Sequence, residues 1–192
     1  MVELKPFIYI RHGETDWNRA GLFQGRSDIA LNENGRRQAR AAAFDMKGVR
    51  ISKVLVSPLQ RAVETATLAF PNDLDRVQVE DLLIECDFGS LDGKSIKEAM
   101  EDNDITRKEQ LADIIPIDGE TWSSVRERCN MILDRVAELQ TDASVVVLVG
   151  HDAIFQGLSE ILTGRWCESQ HGQPCYFKLG GSGWHITPSK SA

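Results

Sequence analysis

Two histidines, two arginines and a carboxylate carry most of the chemical potential of this sequence, because each closes an apolar, strand-like run. Arg11-His12-Gly13-Glu14 follows PFIYI (6–10), and Ser57-Pro58-Leu59-Gln60-Arg61 continues from KVLVS (53–57). Glu85 closes VQVEDLLIE (77–85), and Gly150-His151 follows SVVVLV (144–149). In an open parallel sheet the carboxyl ends of the strands share one edge, where crevices form and ligands bind. Taken singly, each residue has a bland reading: a surface ion pair for the arginines, a satisfied hydrogen-bonder for each histidine, a solvated strand end for Glu85. Their recurrence at equivalent positions favours one shared pocket. A zinc site built from His12, His151 and Glu85 is a rival reading. No HExxH or paired-cysteine spacing supports it, and two guanidiniums beside the ligands would repel a cation. Guanidiniums instead match an oxyanion, because their planar fork grips phosphate oxygens in pairs. Phosphoryl transfer asks mainly for charge neutralisation and positioning. A neutral histidine is a competent nucleophile, and a nearby carboxylic acid can protonate the leaving oxygen and then deprotonate water.

The elements that must position these groups alternate between strand and helix patterns, as in an α/β sandwich. Leu31-Asn32 offers an N-cap to an alanine-rich helix over 33–47, and Pro58 suits the first turn of a helix over 58–69. Segment 94–113 is polar and reads as helical pieces, an insertion over one face. In the helix read over 119–140, Val125, Cys129, Ile132, Val136 and Leu139 form one apolar stripe. SVVVLV is too continuously apolar for a half-exposed strand and is expected at the centre of the sheet. A helix over 153–163 ends at Gly164, and CYFKL and GWHIT form a hairpin around Gly180 to Gly183. With no repeat, low-complexity tract or linker, the chain reads as one domain over 1–192 with a small insertion at about 94–118 over the active site.

Composition bounds the partners. The chain has 192 residues, 42% hydrophobic and 27% charged, with 22 basic against 29 acidic side chains and a net charge of −7. That length supports a single core without metal or disulfide staples. The acidic balance argues against nucleic acid or an anionic membrane as partner. No run reaches the roughly 20 apolar residues of a bilayer span, and MVELKPFIYIRHG lacks the basic start of a signal peptide. Cysteines 86, 129, 167 and 175 have no metal-binding spacing and read as reduced thiols. The expectation is a cytoplasmic protein that binds a small anionic ligand through a local basic cluster.

Arg11-His12-Gly13-Glu14-Thr15, with Trp17-Asn18, Gln24-Gly25 and Asp28, resembles the signature of the histidine phosphatase superfamily, phosphoglycerate-mutase-like branch. Ser57-Pro58-Leu59-Gln60-Arg61-Ala62 is similar to its second arginine motif, Leu83-Ile84-Glu85 with Asp87-Phe88-Gly89 and Gly93 to its acid motif, and Val149-Gly150-His151 to its second histidine. The resemblance implies an α/β three-layer sandwich, a mixed and mostly parallel sheet flanked by helices. It implies that His12 is the nucleophile that becomes phosphohistidine on Nε2. Arg11, Arg61 and His151 form the phosphate pocket, Glu85 moves the proton, and neither metal nor cofactor is required. Asn18, Gln24, Gly25 and Asp152 are expected to contact phosphate or substrate.

Phe23-Gln24-Gly25-Arg26 and Glu85-Cys86-Asp87-Phe88-Gly89 resemble the phosphatase type rather than the mutase stretches Phe-Thr-Gly-Trp and Glu-Arg-His-Tyr-Gly. The expected activity is therefore hydrolysis of a small phosphorylated metabolite. The alternatives are a 2,3-bisphosphoglycerate-dependent mutase and a non-catalytic phosphate-binding protein of the same fold. One departure stands out: Asp152-Ala153 follows the second histidine where the family usually has glycine. Either the Asp152 side chain leaves the pocket or it selects a cationic or hydroxyl-rich substrate, while its backbone N–H faces the phosphate. Glu14 is expected to orient backbone or Arg11, His171 and His185 to be non-catalytic, and Trp17, Trp122 and Trp184 to serve packing.

Overall fold

The computed structural model describes residues 3–141 and 143–189. Met1 and Val2, which open the segment read for a leader, and the last three positions of the 1–192 span lie outside the described residues. The chain runs β1 (Phe7–Arg11), α1 (Asp16–Ala20), α2 (Glu33–Asp45), β2 (Ile51–Val56), α3 (Gln60–Ala69) and β3 (Val77–Val79). It continues through α4 (Ile96–Asp102), α5 (Trp122–Leu139), β4 (Val145–Gly150), α6 (Asp152–Thr163), β5 (Pro174–Gly180) and β6 (Gly183–Pro188). Six strands form one sheet in the order β3-β2-β4-β1-β5-β6. The β3-β2-β4-β1 part is parallel, and β5 and β6 are added antiparallel. This is the mixed, helix-flanked three-layer sandwich that the resemblance implies, and it agrees with the alternation of strand and helix patterns.

Alternation along β1 shows how the layers are held. Phe7 and Tyr9 face one core, beneath α5 and α6, with Val146, Leu148 and Phe177. Ile8 and Ile10 face the other, beneath α2 and α3, with Val147 and Val149. β4 contributes to both cores, as its unbroken apolar run requires. The stripe of α5 is buried through Val125, Cys129, Ile132 and Val136. Asn32 caps α2 by accepting from the Gly35 amide at 2.9 Å, and Gly164 ends α6 at φ 68, a left-handed turn that glycine adopts without steric cost. Cys86, Cys129 and Cys175 are buried free thiols. Burial pushes the Cys129 thiol up to about 12 and that of Cys175 to about 11.

Two local expectations are corrected. The third strand stops at Val79, and the chain turns through a 3-10 segment, Asp81–Leu83, before Glu85. Glu85 therefore sits in a loop rather than at a strand end; Glu80 and Asp81 next to Val79 make poor strand residues. Helix α3 starts at Gln60 with Leu59 at the N-cap, so Pro58 lies before the helix and not in its first turn. The short α1 carries no apolar stripe; it is held by a capping box between Thr15 and Asn18, a signal made of polar residues alone.

The loop after β1 is pressed against α2 by two facing glycines. A Cβ on Gly13 would run into the Gly35 carbonyl, and one on Gly35 into the Glu14 backbone. Gly35 lies in the first turn of a helix, where alanine would ordinarily gain up to about 1 kcal/mol. Gly35→Ala is expected instead to destabilise the protein by about 1–3 kcal/mol, the usual cost of overpacking. Urea unfolding of the two proteins measures the difference, and a stabilised variant would contradict the backbone contact.

Candidate active site

The parallel register of β1 with β4 sets Arg11 opposite Gly150. One residue further, the His12 amide donates to the Gly150 carbonyl at 2.9 Å. The two histidines that follow these strands are thereby brought to a ring separation of 5.1 Å. His12 is 2% exposed, and its Nδ1 lies 2.7 Å from the Gly13 carbonyl. Because a carbonyl only accepts, Nδ1 carries the hydrogen and Nε2 keeps its lone pair. Burial, then His151, Arg61, Arg11 and His171, hold the imidazole pKa well below its ordinary value. His12 is therefore neutral at pH 7 and lines a cavity of ≈ 690 Å³.

The other polar groups at and behind the cavity floor are held by the backbone around them. Arg11 donates to the Ser169 carbonyl at 3.1 Å and pairs with Asp152 at 3.3 Å through the same nitrogen. Its Nε is buried without a hydrogen-bond partner. Nε2 of His151 lies 2.6 Å from the Ser57 hydroxyl, and its Nδ1 is likewise buried and unpartnered. A hydroxyl that donates to Nε2 leaves Nδ1–H as a free donor. Burial, followed by the charges of Arg61 and Arg11, keeps His151 neutral, with its pKa well below the ordinary value. Arg61 is fully buried and donates to the carbonyls of Ser27 and Gly25 at 2.8 and 2.7 Å. With the Gln24 amide oxygen turned toward it, Nε donates there at 3.1 Å. Burial lowers the Arg61 pKa to about 10, against the opposing charges of Glu85, Asp28 and Asp92.

Glu85 is 4% exposed and lines the cavity. Its two oxygens accept from the amides of Cys86 at 2.9 Å and Asp152 at 3.2 Å. Asp152 opens α6, whose first N–H groups have no intrahelical acceptor. Burial dominates and raises the Glu85 pKa to about 7, with the Cys86 amide and Arg61 opposing. A carboxyl with that value exchanges its proton readily at neutral pH. The loop that presents it is clamped from α5. Arg128 donates to the carbonyls of Leu82 and Ile84 at 2.7 and 2.8 Å, and through its other nitrogens to Glu120 at 2.8 and 2.7 Å.

Of the residues singled out in the sequence, His12, Arg11, Glu85, Asn18, Gln24 and Asp152 line one cavity. His151 contacts the His12 ring, while Arg61 and Gly25 lie behind the wall, joined by the Arg61 bond to the Gly25 carbonyl. A Cβ at Gly25 would press on the Cys86 carbonyl at 2.8 Å, so its glycine serves close approach of two loops. Asp152 turns to Arg11, to the Ser169 hydroxyl at 2.6 Å and to the Gln156 amide at 2.9 Å. Its backbone N–H faces Glu85 instead of the phosphate position that was expected. Glu14 pairs with Arg19 and Asn32, not with Arg11. Trp122 reaches the cavity wall as well as the core.

His171 was read as non-catalytic, yet it forms part of the cavity, with its ring 5.4 Å from His12. Its Nδ1 donates to the His12 carbonyl at 2.9 Å, and burial, with Arg11, lowers its pKa to about 4. The signal available in the sequence was its place just before β5, the strand that pairs with β1. Arg128 and Glu120 carry no motif and are not singled out by the sequence, whereas the outer wall from α4 and the 3-10 turn Lys108–Ile114 falls in the insertion read at about 94–118. Among the described residues no group of three or more His, Cys, Asp or Glu side chains could hold a metal ion, and no helix is long and apolar enough to cross a membrane.

Comparison with known proteins identifies the family. The family model of the histidine phosphatase superfamily (branch 1) matches residues 7–173. The chain is 35% identical over 144 residues to a bifunctional protein of Mycobacterium tuberculosis, covering 73% of this chain and 40% of that protein. It is 36% identical over 129 residues to fructose-2,6-bisphosphatase TIGAR B of Danio rerio, covering 65% and 50%. The chain thus spans about half or less of the length of these curated relatives. In fold it is similar to a mycobacterial glucosyl-3-phosphoglycerate phosphatase solved with VO3, at TM-score 0.83 and 24% identity over 98% of this chain and 100% of that one.

The Arg128 clamp gives a stability test. Its side chain and that of Glu120 are 15% and 10% exposed. Removing one partner of a largely buried pair typically costs about 3–5 kcal/mol. Arg128→Met is expected to lose about 3 kcal/mol in urea unfolding. Arg128→Lys should recover only a minor part, because one ammonium cannot span the Leu82 and Ile84 carbonyls and both Glu120 oxygens. Equal stability of Arg128→Lys and the parent would contradict the clamp.

Proposed function

The chain belongs to the histidine phosphatase superfamily, and we propose that it is a metal-independent phosphomonoesterase that hydrolyses a small phosphorylated metabolite through a phosphohistidine on His12. The observation that carries this reading is the state of His12: buried, neutral, with Nδ1 tied to the Gly13 carbonyl and the Nε2 lone pair on the cavity side. Around it stand donors that lack acceptors, the Nε of Arg11 and the Nδ1 of His151. Phosphoryl oxygens would satisfy both, with Arg11 and the buried Arg61 neutralising their charge. Asn18, whose Oδ1 accepts from the Thr15 amide at 3.1 Å, lines the same cavity.

In the first step Nε2 of His12 attacks phosphorus in line, the P–O bond to the leaving group breaks, and Glu85 gives its proton to the leaving oxygen. In the second, the Glu85 carboxylate takes a proton from water as the oxygen attacks phosphorus. The P–N bond breaks, and inorganic phosphate and protonated Glu85 are restored. The two arginines supply the positive charge that a divalent ion provides in other phosphoryl-transfer sites. Asp152 acts through Arg11, holding the guanidinium between its own carboxylate and the Ser169 carbonyl.

Two outcomes are expected. Rapid mixing with a 32P-labelled phosphate ester and alkaline quench traps an acid-labile, base-stable adduct, formed equally in EDTA. His12→Ala forms none, and its turnover falls by at least about a thousandfold; an active His12→Ala enzyme would sink the reading. The second outcome concerns pH. Glu85 is a proton donor only below its pKa of about 7, so phosphorylation of His12 by an alkyl phosphate slows about tenfold per unit above that pH. Glu85→Gln removes this limb and lowers the rate about 10²–10⁴-fold. With p-nitrophenyl phosphate, whose leaving group needs little protonation, the loss in the phosphorylation step is much smaller. Single-turnover rates measure both, and equal losses would assign the proton to another group.

A further inference from the structure

The cavity continues well beyond the phosphoryl-binding floor, and its outer part has a composition of its own. Its ≈ 690 Å³ falls in the range of clefts that enclose whole drug-sized ligands, about 300–1,000 Å³. Phe23, Phe88, Met100, Ile115, Trp122 and Trp166 form its apolar wall. The Trp122 indole nitrogen is taken by Glu160 at 3.0 Å, so that ring has no donor left for a polar substrate group. Phe23 and Phe88 pack on one another at 5.2 Å, which fixes one side of the wall.

The charges on the outer wall are Lys97 and Lys108 against Glu101, Glu109 and Glu168. Lys97 pairs with Glu101 at 3.6 Å, and Lys108 with Glu168 at 3.2 Å. On the floor, Arg11 is shared with Asp152 at 3.3 Å. A second anionic group on a substrate would sit among three glutamates that outnumber the two lysines, each of which already has a carboxylate beside it. Repulsion of this kind sets specificity as effectively as attraction does.

We infer that the substrate is a phosphate monoester whose leaving group is a bulky, largely apolar ring system or chain without a second phosphate or carboxylate. This inference rests on the phosphatase reading above. Bisphosphates and phosphorylated carboxylic acids are correspondingly poor substrates, which separates this site from the 2,3-bisphosphoglycerate-dependent mutase alternative. The walls at α4 and the Lys108–Ile114 turn select the leaving group, while the floor handles the phosphoryl group.

The test uses esters of similar leaving-group reactivity and increasing size: ethyl, benzyl and naphthylmethyl phosphate, with 3-phosphoglycerate and fructose 1,6-bisphosphate as anionic probes. The expected kcat/KM rises at least tenfold from ethyl to naphthylmethyl phosphate, mostly through KM, and falls below the ethyl value for both anionic probes. Trp166→Ala should lower the naphthylmethyl-to-ethyl ratio at least fivefold. Calorimetric binding of naphthylmethylphosphonate against ethylphosphonate reads the same preference without turnover. Turnover without a size preference, or efficient turnover of either anionic probe, overturns the inference and leaves the phosphatase reading standing. No turnover of any ester, with the phosphonate preference intact, overturns the phosphatase reading and leaves the apolar subsite. Neither turnover nor preference overturns both.

Discussion

The hydrogen bond from the His12 amide to the Gly150 carbonyl is the contact on which the rest of the site depends. It extends the β1–β4 ladder by one residue past Arg11 and so fixes where each strand releases its histidine. A one-residue slip would turn every side chain of β1 to the opposite face of the sheet. The alternation of Phe7 and Tyr9 with Ile8 and Ile10 between two cores opposes that slip. Gly150 belongs to the same constraint, because a Cβ there would collide with the Tyr9 hydroxyl, which donates to the His151 carbonyl at 2.7 Å. Core packing and site geometry are thus one register problem.

Around this ladder the molecule buries ionisable groups in a graded way. Arg61, in the deepest position, is held by the Gly25 and Ser27 carbonyls, and Asp92 accepts from the amides of the same two residues at 2.7 and 3.1 Å. The guanidinium and the aspartate therefore grip one loop from its two polar sides. Glu85 lies nearer the cavity with only two backbone donors, too few to offset burial, and its pKa rises to about 7. The difference between a fixed charge and a mobile proton is here a difference in the number and kind of hydrogen bonds each group receives.

The order of strands and helices could be read from the sequence because apolar periodicity and caps are local signals. SVVVLV announced a strand buried on both faces, and Asn32 announced the start of α2. The floor of the site was also legible, since His12, Arg11, His151 and Arg61 follow directly on elements with clear patterns. What remained hidden depends on contacts between distant segments. Glu85 was assigned to a strand because VQVEDLLIE is apolar enough, yet pairing ends at Val79 and an arginine about forty residues away holds the loop. His171 has no motif around it and becomes significant only when β5 pairs with β1. Asp152 looked like an intruding charge because two of its partners, Arg11 and Ser169, come from other segments and are a matter of packing rather than spacing.

The neutrality of the three neighbouring imidazoles has a consequence for the electric field of the cavity. His12, His151 and His171 all have pKa values below the ordinary histidine range, so the field that draws an anion toward the floor originates in the guanidiniums. Arg61 keeps its proton until a pH of about 10. The guanidinium part of that field is constant across the range in which Glu85 changes charge, and it does not depend on protonation of the imidazoles. Within that range the change in the cavity comes from Glu85, whose carboxylate weakens the hold on an anion as it becomes negative.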